Sequence, residues 1–235
     1  MEGHNTDGTG SAYIKDNEFI LEKYPFALTD ILKEGIPFLS HMPCNSHTIV
    51  HLRSSTHGKN TYANTHPFLT KNYCVIHNGV WNEHSLARAF LEKFIKIDGE
   101  TDSQVAAETI EFIGPKKFFE VVDYGGVFLV LHKNGELYVI KTSGQLEFNY
   151  SKNKKVLISS ELSYKDYPKS LIVMNGLYKF SKNGHFISYK PSETFNTNNQ
   201  YDWLNKSKRS INVKVLPAKI PFHHQLPSYY ENFVD

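Results

Sequence analysis

The sequence predicts an α+β sandwich, and three observations carry the prediction. The alternating run Ile49-Val50-His51-Leu52-Arg53 and the apolar run Tyr73-Cys74-Val75-Ile76-His77 read as strands. Two helical patterns follow in succession, one over 82–97 and one from Thr101 onward. After Gly125-Gly126 the texture returns to strands. Helices placed in sequence between two groups of strands argue against a doubly wound parallel sheet, where strand and helix alternate.

Taken in order, residues 1–11 are rich in Gly, Asn, Asp and Thr and read as a loop. Ala12-Tyr13-Ile14 and Phe19-Ile20-Leu21 form a hairpin around Lys15-Asp16-Asn17-Glu18. Thr29 caps a brief helix through Ile31 and Leu32 that stops at Gly35. In the strand that follows, Val50 and Leu52 share one face, His51 and Arg53 the other. Asn82 is the expected N-cap of a helix through about Ile97, with Leu86, Phe90 and Phe94 as its apolar stripe and Ala87 and Leu91 beside them. Thr101 and Gln104 have the spacing of a capping box, and Ala106, Ile110 and Ile113 make the buried face of the next helix. Gly114-Pro115 stops or kinks it before Lys116 to Val121.

Val127 to Leu131 is apolar throughout, as in a strand buried on both faces. Lys133-Asn134-Gly135-Glu136 turns the chain into Leu137 to Ile140. Val156 to Ser160 is a further strand, and Leu177 to Phe180 with His185 to Tyr189 close a hairpin at Asn183-Gly184. The domain is expected to span 1–190. Residues 191–235, with Pro217, Pro221 and Pro227 among scattered aromatics, read as a polar tail rather than an arm docking Trp203, Phe222 and Tyr229 on a partner.

The 235 residues suffice for a sizeable core, and a 40% hydrophobic fraction is too high for a disordered chain. A net charge of +2 with no long basic run gives no electrostatic case for nucleic acid. No signal peptide or membrane-length apolar run is seen, and Cys44 and Cys74 make no disulfide framework. A cytoplasmic protein with no membrane partner is expected. Polar clusters at Ser54 to Gly58 and Asn64 to Phe68, hung between the two central strands, mark the candidate site. His51, His57, His66 and His77 lack the close spacing of metal ligands, so no metal and no cofactor is expected. Lys152 to Lys155 reads as a solvated turn.

HLRSSTHG, NTHPF, HNGVWN and TDSQV, in this order, resemble the class II glutamine amidotransferases, and NTDGTGSAYI, YGGVFLVL and LISSEL resemble further segments of those domains. The resemblance implies an Ntn-hydrolase four-layer α-β-β-α sandwich, here without its first strand. It implies that Arg53 and Asp102 hold the α-carboxylate and α-amino groups of glutamine. Thr56, His57 and His66 would line the pocket, and Asn78 with Gly79 would form the oxyanion hole. Each role suits its chemistry: a guanidinium forks onto a carboxylate, a carboxylate answers an ammonium, and an Asn amide beside a backbone N–H holds a developing oxyanion.

Plainer readings stand beside these. Asp102 suits a helix N-terminus, Asn78-Gly79 is a common hairpin turn, and Arg53 could be a surface ion pair. The family's nucleophile is a mature N-terminal Cys ahead of the glycine-rich segment, and no Cys precedes Cys44 here. Three accounts follow: a fragment or misplaced start of an active enzyme, a natural variant that lost the nucleophile and now binds only, or a substitute nucleophile. The first implies a glutaminase-type domain that releases ammonia to a separate accepting protein. The alternative is an inactive relic that binds glutamine, a related amide or a protein through the same pocket.

Overall fold

The structure, a computed structural model, describes residues 5–42, 46–56, 58–150, 156–160 and 171–192. Cys44, His57, Lys152 to Lys155, Glu161, and Trp203, Phe222 and Tyr229 of the tail lie outside the described residues. The expected hairpin is β1 (Gly8–Lys15) and β2 (Glu18–Tyr24), but β1 starts inside the stretch read as a loop, because Gly8 to Ser11 pair with Val50 to Arg53 and Thr9 to Ser11 also with β2. It turns through Asp16 and Asn17 at φ 51° and 63°, the left-handed pair that matches strand twist. A brief helix follows as α1 (Leu28–Lys33), but Thr29 lies inside it. Ala27 is the N-cap and makes no side-chain bond. Gly35, at φ 70°, ends the turn and donates its N–H to Leu32 O.

β3 (Thr48–Arg53) pairs with β1, so the first sheet runs β2-β1-β3. Its alternation is real, and it is the polar face that turns inward: Ile49 and Arg53 are buried while Val50 is 41% exposed. β4 (Phe68–Leu69) was too short to leave a period in the sequence. It pairs with β5 (Tyr73–Asn78), which leads into β6 (Val127–His132) and β7 (Leu137–Lys141). β11 (Gly176–Phe180) and β12 (Phe186–Pro191) complete a six-stranded sheet of order β12-β11-β7-β6-β5-β4. A third sheet joins β10 (Leu171–Ile172), β8 (Glu147–Tyr150) and β9 (Val156–Ser159). The pairings are antiparallel, which suits an α+β rather than a doubly wound chain.

The six-stranded sheet is apolar on both faces, as the continuous run in β6 required. Val75, Phe128, Val130 and Ile140 pack with the helices, while Cys74, Ile76, Leu131 and Val139 pack with Ala12 and Ile49 of the first sheet. On the helical side lie α2 (His84–Leu91) and α3 (Asp102–Val121). α3 follows its sequence closely. Thr101 Oγ1 accepts the N–H of Gln104 at 3.2 Å, and Ala106 and Ile110 are fully buried. The capping box is only half made, because Gln104 Oε1 meets no donor among the described residues. Gly114, at φ 78° and ψ 157°, is non-helical, so α3 is two helical segments that meet at a kink just before Pro115.

α2 corrects its expectation. It begins after Glu83 rather than Asn82 and ends at Leu91, not near Ile97. The row at spacing four points outward: Leu86 is 76%, Phe90 46% and Phe94 67% exposed. Two adjacent rows were apolar, and contact with α3 selected the Ala87 and Leu91 side. Phe90, Phe94 and Phe112 instead cluster on the outside, with ring centroids 5.5–6.4 Å apart. No helix among the described residues is long and apolar enough to cross a membrane.

Phe118, fully buried with its ring 5.3 Å from Trp81 and 5.1 Å from Phe128, contrasts with the outer row. We expect Phe118→Ala to cost about 3–5 kcal/mol in urea unfolding and Phe94→Ala under about 1 kcal/mol. Equal losses would mean that the α2 stripe faces the core after all.

Candidate functional site

The site is assembled where β3, β5 and the start of α3 converge. β5 ends at Asn78, and Gly79 follows at φ 147° with its backbone against Gly125. A Cβ on Gly79 would lie 2.4 Å from Gly125 O, and one on Gly126 would lie 2.2 Å from Asn78 O. Two backbone segments touch with no room for a side chain on either, so the hairpin reading of Asn78-Gly79 is replaced by a close crossing. Thr142, just past β7, holds the other strand in place: its Oγ1 accepts the N–H of Gly125 at 2.9 Å and of Gly126 at 3.2 Å. Asn78 and Gly79 then face a cleft of about 590 Å³ that Asn5, Asn82, Tyr124 and Gln145 also line.

Asp102 is held at the N-terminus of α3. Its Oδ1 accepts the N–H of Ser103 and its Oδ2 the N–H of Trp81, both at 2.8 Å. The helix-end role is therefore real, and it also ties α3 to the segment after Gly79. His77 lies beneath both, stacked on Phe128 with 4.1 Å between centroids. Its Nε2–H donates to Gly125 O at 2.5 Å, which leaves Nδ1 to accept from Ser103 Oγ at 3.0 Å. His77 Nδ1 is also 3.8 Å from Asp102. Burial keeps this imidazole below its ordinary pKa, against the pull of Asp102 and the Gly125 carbonyl.

From the β3 side, His51 Nε2–H donates to His77 O at 3.0 Å. His51 stacks on His66 with 3.9 Å between centroids, and His66 sets its edge to Phe68. Burial lowers His51 to about 4. His66 is pushed well below the ordinary range by burial, then by the neighbouring His51, His77, Arg53 and Lys23. Neither ring nitrogen of His66, at 5% exposure, meets a partner among the described residues. His51 and His66 thus lie ring against ring, tilted by 31°, while His77 stacks on Phe128.

Arg53 is 3% exposed. Its Nη1 donates to Asn60 Oδ1 and its Nη2 to Ser55 Oγ, each at 2.9 Å. Asp7 closes the loop: its carboxylate accepts Ser55 N–H at 2.7 Å and Asn60 Nδ2–H at 3.1 Å, while its own N–H donates to Arg53 O at 2.9 Å. Those two donors hold the Asp7 carboxyl below its usual pKa.

The expected residues therefore fall into three groups. Arg53, His66 and Asp102 belong to one buried polar cluster joined through His51 and His77, whereas Asn78 and Gly79 open onto the cleft. Thr56 is exposed on the loop after β3, and His57 lies outside the described residues. Arg53, His66 and Asp102 do not line the cleft. Asp7, Asn60, Ser103 and Thr142 were missed, since isolated polar residues at such separations carry no local pattern. Cys74 is fully buried, and burial pushes its thiol up to about 12, the ordinary state of a core thiol rather than of a nucleophile.

No family model matches the chain. It is 28% identical over 178 residues to glutamine–fructose-6-phosphate aminotransferase (isomerizing) of Campylobacter jejuni, covering 68% of this chain and 28% of that protein. It is 27% identical over 189 residues to the enzyme of the same name from Aquifex aeolicus, covering 74% and 31%. The chain thus spans about a third or less of these curated relatives. Among solved structures, glutamine phosphoribosylpyrophosphate amidotransferase from B. subtilis matches 82% of this chain and 44% of its own at 17% identity, with a TM-score of 0.63. A glutamine aminotransferase class-II domain protein from Silicibacter pomeroyi matches 79% and 92% at 14% identity, with a TM-score of 0.50. The chain is a distant homologue of class II glutamine amidotransferase domains. Its α+β fold matches theirs.

The buried histidines of this homologue make its stability fall in acid. They are neutral when folded and free to take a proton near 6.5 when unfolded, so stability is whole above 6.5 and drains as pH drops toward about 4. From its value of about 4, His51 alone accounts for roughly 2 kcal/mol between pH 7.5 and pH 5. Urea midpoints at these two pH values measure it, and a flat profile would mean that the cluster is hydrated or already charged.

Proposed function

We propose that this chain forms the amide-holding domain of a glutamine amidotransferase of class II type, with L-glutamine or a related amide as its ligand. In this reading Arg53 takes the α-carboxylate, Asp102 takes the α-ammonium, and Thr56, His57 and His66 border the ligand. Asn78 and the backbone at Gly79 hold the amide oxygen. The observation that carries the reading is the Gly79–Gly125 crossing, which presents Asn78 to the cleft on an unyielding support, next to a strand and helix that bring Arg53 and Asp102 into one cluster. Preorganised donors of that kind favour the charge that appears as an amide carbon turns tetrahedral. His66 adds support, because a buried imidazole with no partner among the described residues costs about 1–3 kcal/mol unless a ligand or a neighbour compensates it.

Glutamine hydrolysis by the covalent route forms a γ-glutamyl thioester as a thiolate expels ammonia, and water then releases glutamate. Cys74, fully buried with its thiol pushed up to about 12, is poorly suited to be that thiolate. A second reading keeps the same pocket in a module that binds the amide without cleaving it. In the first reading the ammonia passes to a separate accepting protein. The fold reading extends the same way. Helices on one face of the six-stranded sheet and β2-β1-β3 on the other support the α-β-β part of a four-layer α-β-β-α sandwich. β3, paired only with β1 among the described residues, leaves an edge for the strand that the resemblance expects. Residues 1–190 would form this domain and 191–235 a tail.

Titration of the full chain with L-glutamine, followed by calorimetry and by the shift in thermal midpoint, tests the reading. We expect saturable binding, weakened at least about tenfold by Arg53→Ala and by Asp102→Ala. Unchanged binding in both variants would remove the two assignments. Intact mass after treatment with a glutamine-analogue alkylator separates the readings: one covalent adduct supports catalysis, and glutamine binding without an adduct supports the module.

A further inference from the structure

The closed ring of hydrogen bonds around Arg53 contains two residues with no part in the reading above. Asp7 Oδ1 accepts from Asn60 Nδ2 at 3.1 Å, and Asn60 Oδ1 accepts from Arg53 Nη1 at 2.9 Å. The carboxylate has no donor, so it fixes which end of the Asn60 amide faces it, and the oxygen must then face the guanidinium. Asp7 grips the same loop at Ser55 N–H, 2.7 Å, and through its own N–H on Arg53 O, 2.9 Å. Ser55 Oγ, fixed by these contacts, takes Arg53 Nη2 at 2.9 Å and donates to Gly58 O at 3.0 Å. Both terminal nitrogens of Arg53 are thus aimed by groups that Asp7 holds.

We propose that Asp7 is a positioning residue which, acting through Asn60, orients the Arg53 guanidinium for the α-carboxylate of an amino-acid ligand. The proposal rests on the reading that Arg53 takes that carboxylate. A guanidinium gains from a planar carboxylate only when its fork is aligned, and a buried arginine without side-chain guides would lose that alignment before it lost its charge. Asp7 does not touch the ligand in this account. Its effect is on selectivity for the charged carboxylate over a neutral group in the same place.

The test compares L-glutamine with L-glutaminamide, whose α-carboxylate is replaced by a neutral amide, by calorimetric titration of the full chain. We expect the unaltered chain to prefer L-glutamine. Asp7→Ala and Asn60→Ala should each weaken L-glutamine binding about tenfold and leave L-glutaminamide binding within about twofold. Because the two act in series, the double variant should lose about tenfold and not about a hundredfold. Loss of both ligands alike, an unchanged L-glutamine affinity in either single variant, or multiplying losses would overturn the proposal. If Asp7→Ala unfolds, Asn60→Ala alone decides through the ratio of the two affinities. An unaltered chain that does not distinguish the two ligands would instead remove the Arg53 assignment, and this inference with it.

Discussion

At the end of β5 the backbone of Asn78-Gly79 lies directly against that of Gly125-Gly126, close enough that a Cβ on Gly79 or Gly126 would fall within 2.4 Å of a carbonyl oxygen. This contact makes the rest of the site possible. It lets the β5 chain leave the sheet toward α2 while β6 begins beside it, and it turns Asn78 out to the cleft. The packing tolerates no side chain, so the arrangement is set by sterics rather than by a balance of weak attractions. Thr142 and His77 then secure the Gly125-Gly126 segment from two sides, one through its N–H groups and the other through its carbonyl.

Beneath the crossing, the polar interior is unusually costly. Three imidazoles, a guanidinium and a carboxylate share a volume mostly closed to water, and the imidazoles answer by staying neutral. His77 has both nitrogens engaged, and His51 has one engaged while its Nδ1 meets no partner among the described residues. Arg53 keeps its charge by bonding to neutral oxygens of its own loop, with Asp7 as the nearby anion. Such a cluster is weak evidence for stability and better evidence for a task, since apolar residues would fill the same space at lower cost.

The strong periodic features were legible. The hairpin at Asp16-Asn17, the Thr101 cap and the kink at Gly114-Pro115 each rest on contacts within a few residues, and the unbroken apolar run of β6 marks a strand buried on both faces. The face of a strand or helix was harder to read. β3 has two plausible faces, and the one carrying His51 and Arg53 turned inward because partners for polar groups waited there. α2 has two adjacent apolar rows, and α3 covered the less conspicuous one. The missed elements, β4, β8 and β10, are two to four residues long, too short for a period.

For this protein the sequence by itself determined the order of the longer strands and helices and the polar clusters from which a site would come. Those are properties of neighbouring residues, decided by backbone sterics and local hydrogen bonding. Only the tertiary structure decided that Asp7 reaches across 53 positions to Asn60, that Thr142 clamps Gly125, and that His77 joins the Asn78 strand end to Asp102. Those contacts depend on where sheets and helices meet in space, and no spacing along the chain encodes them.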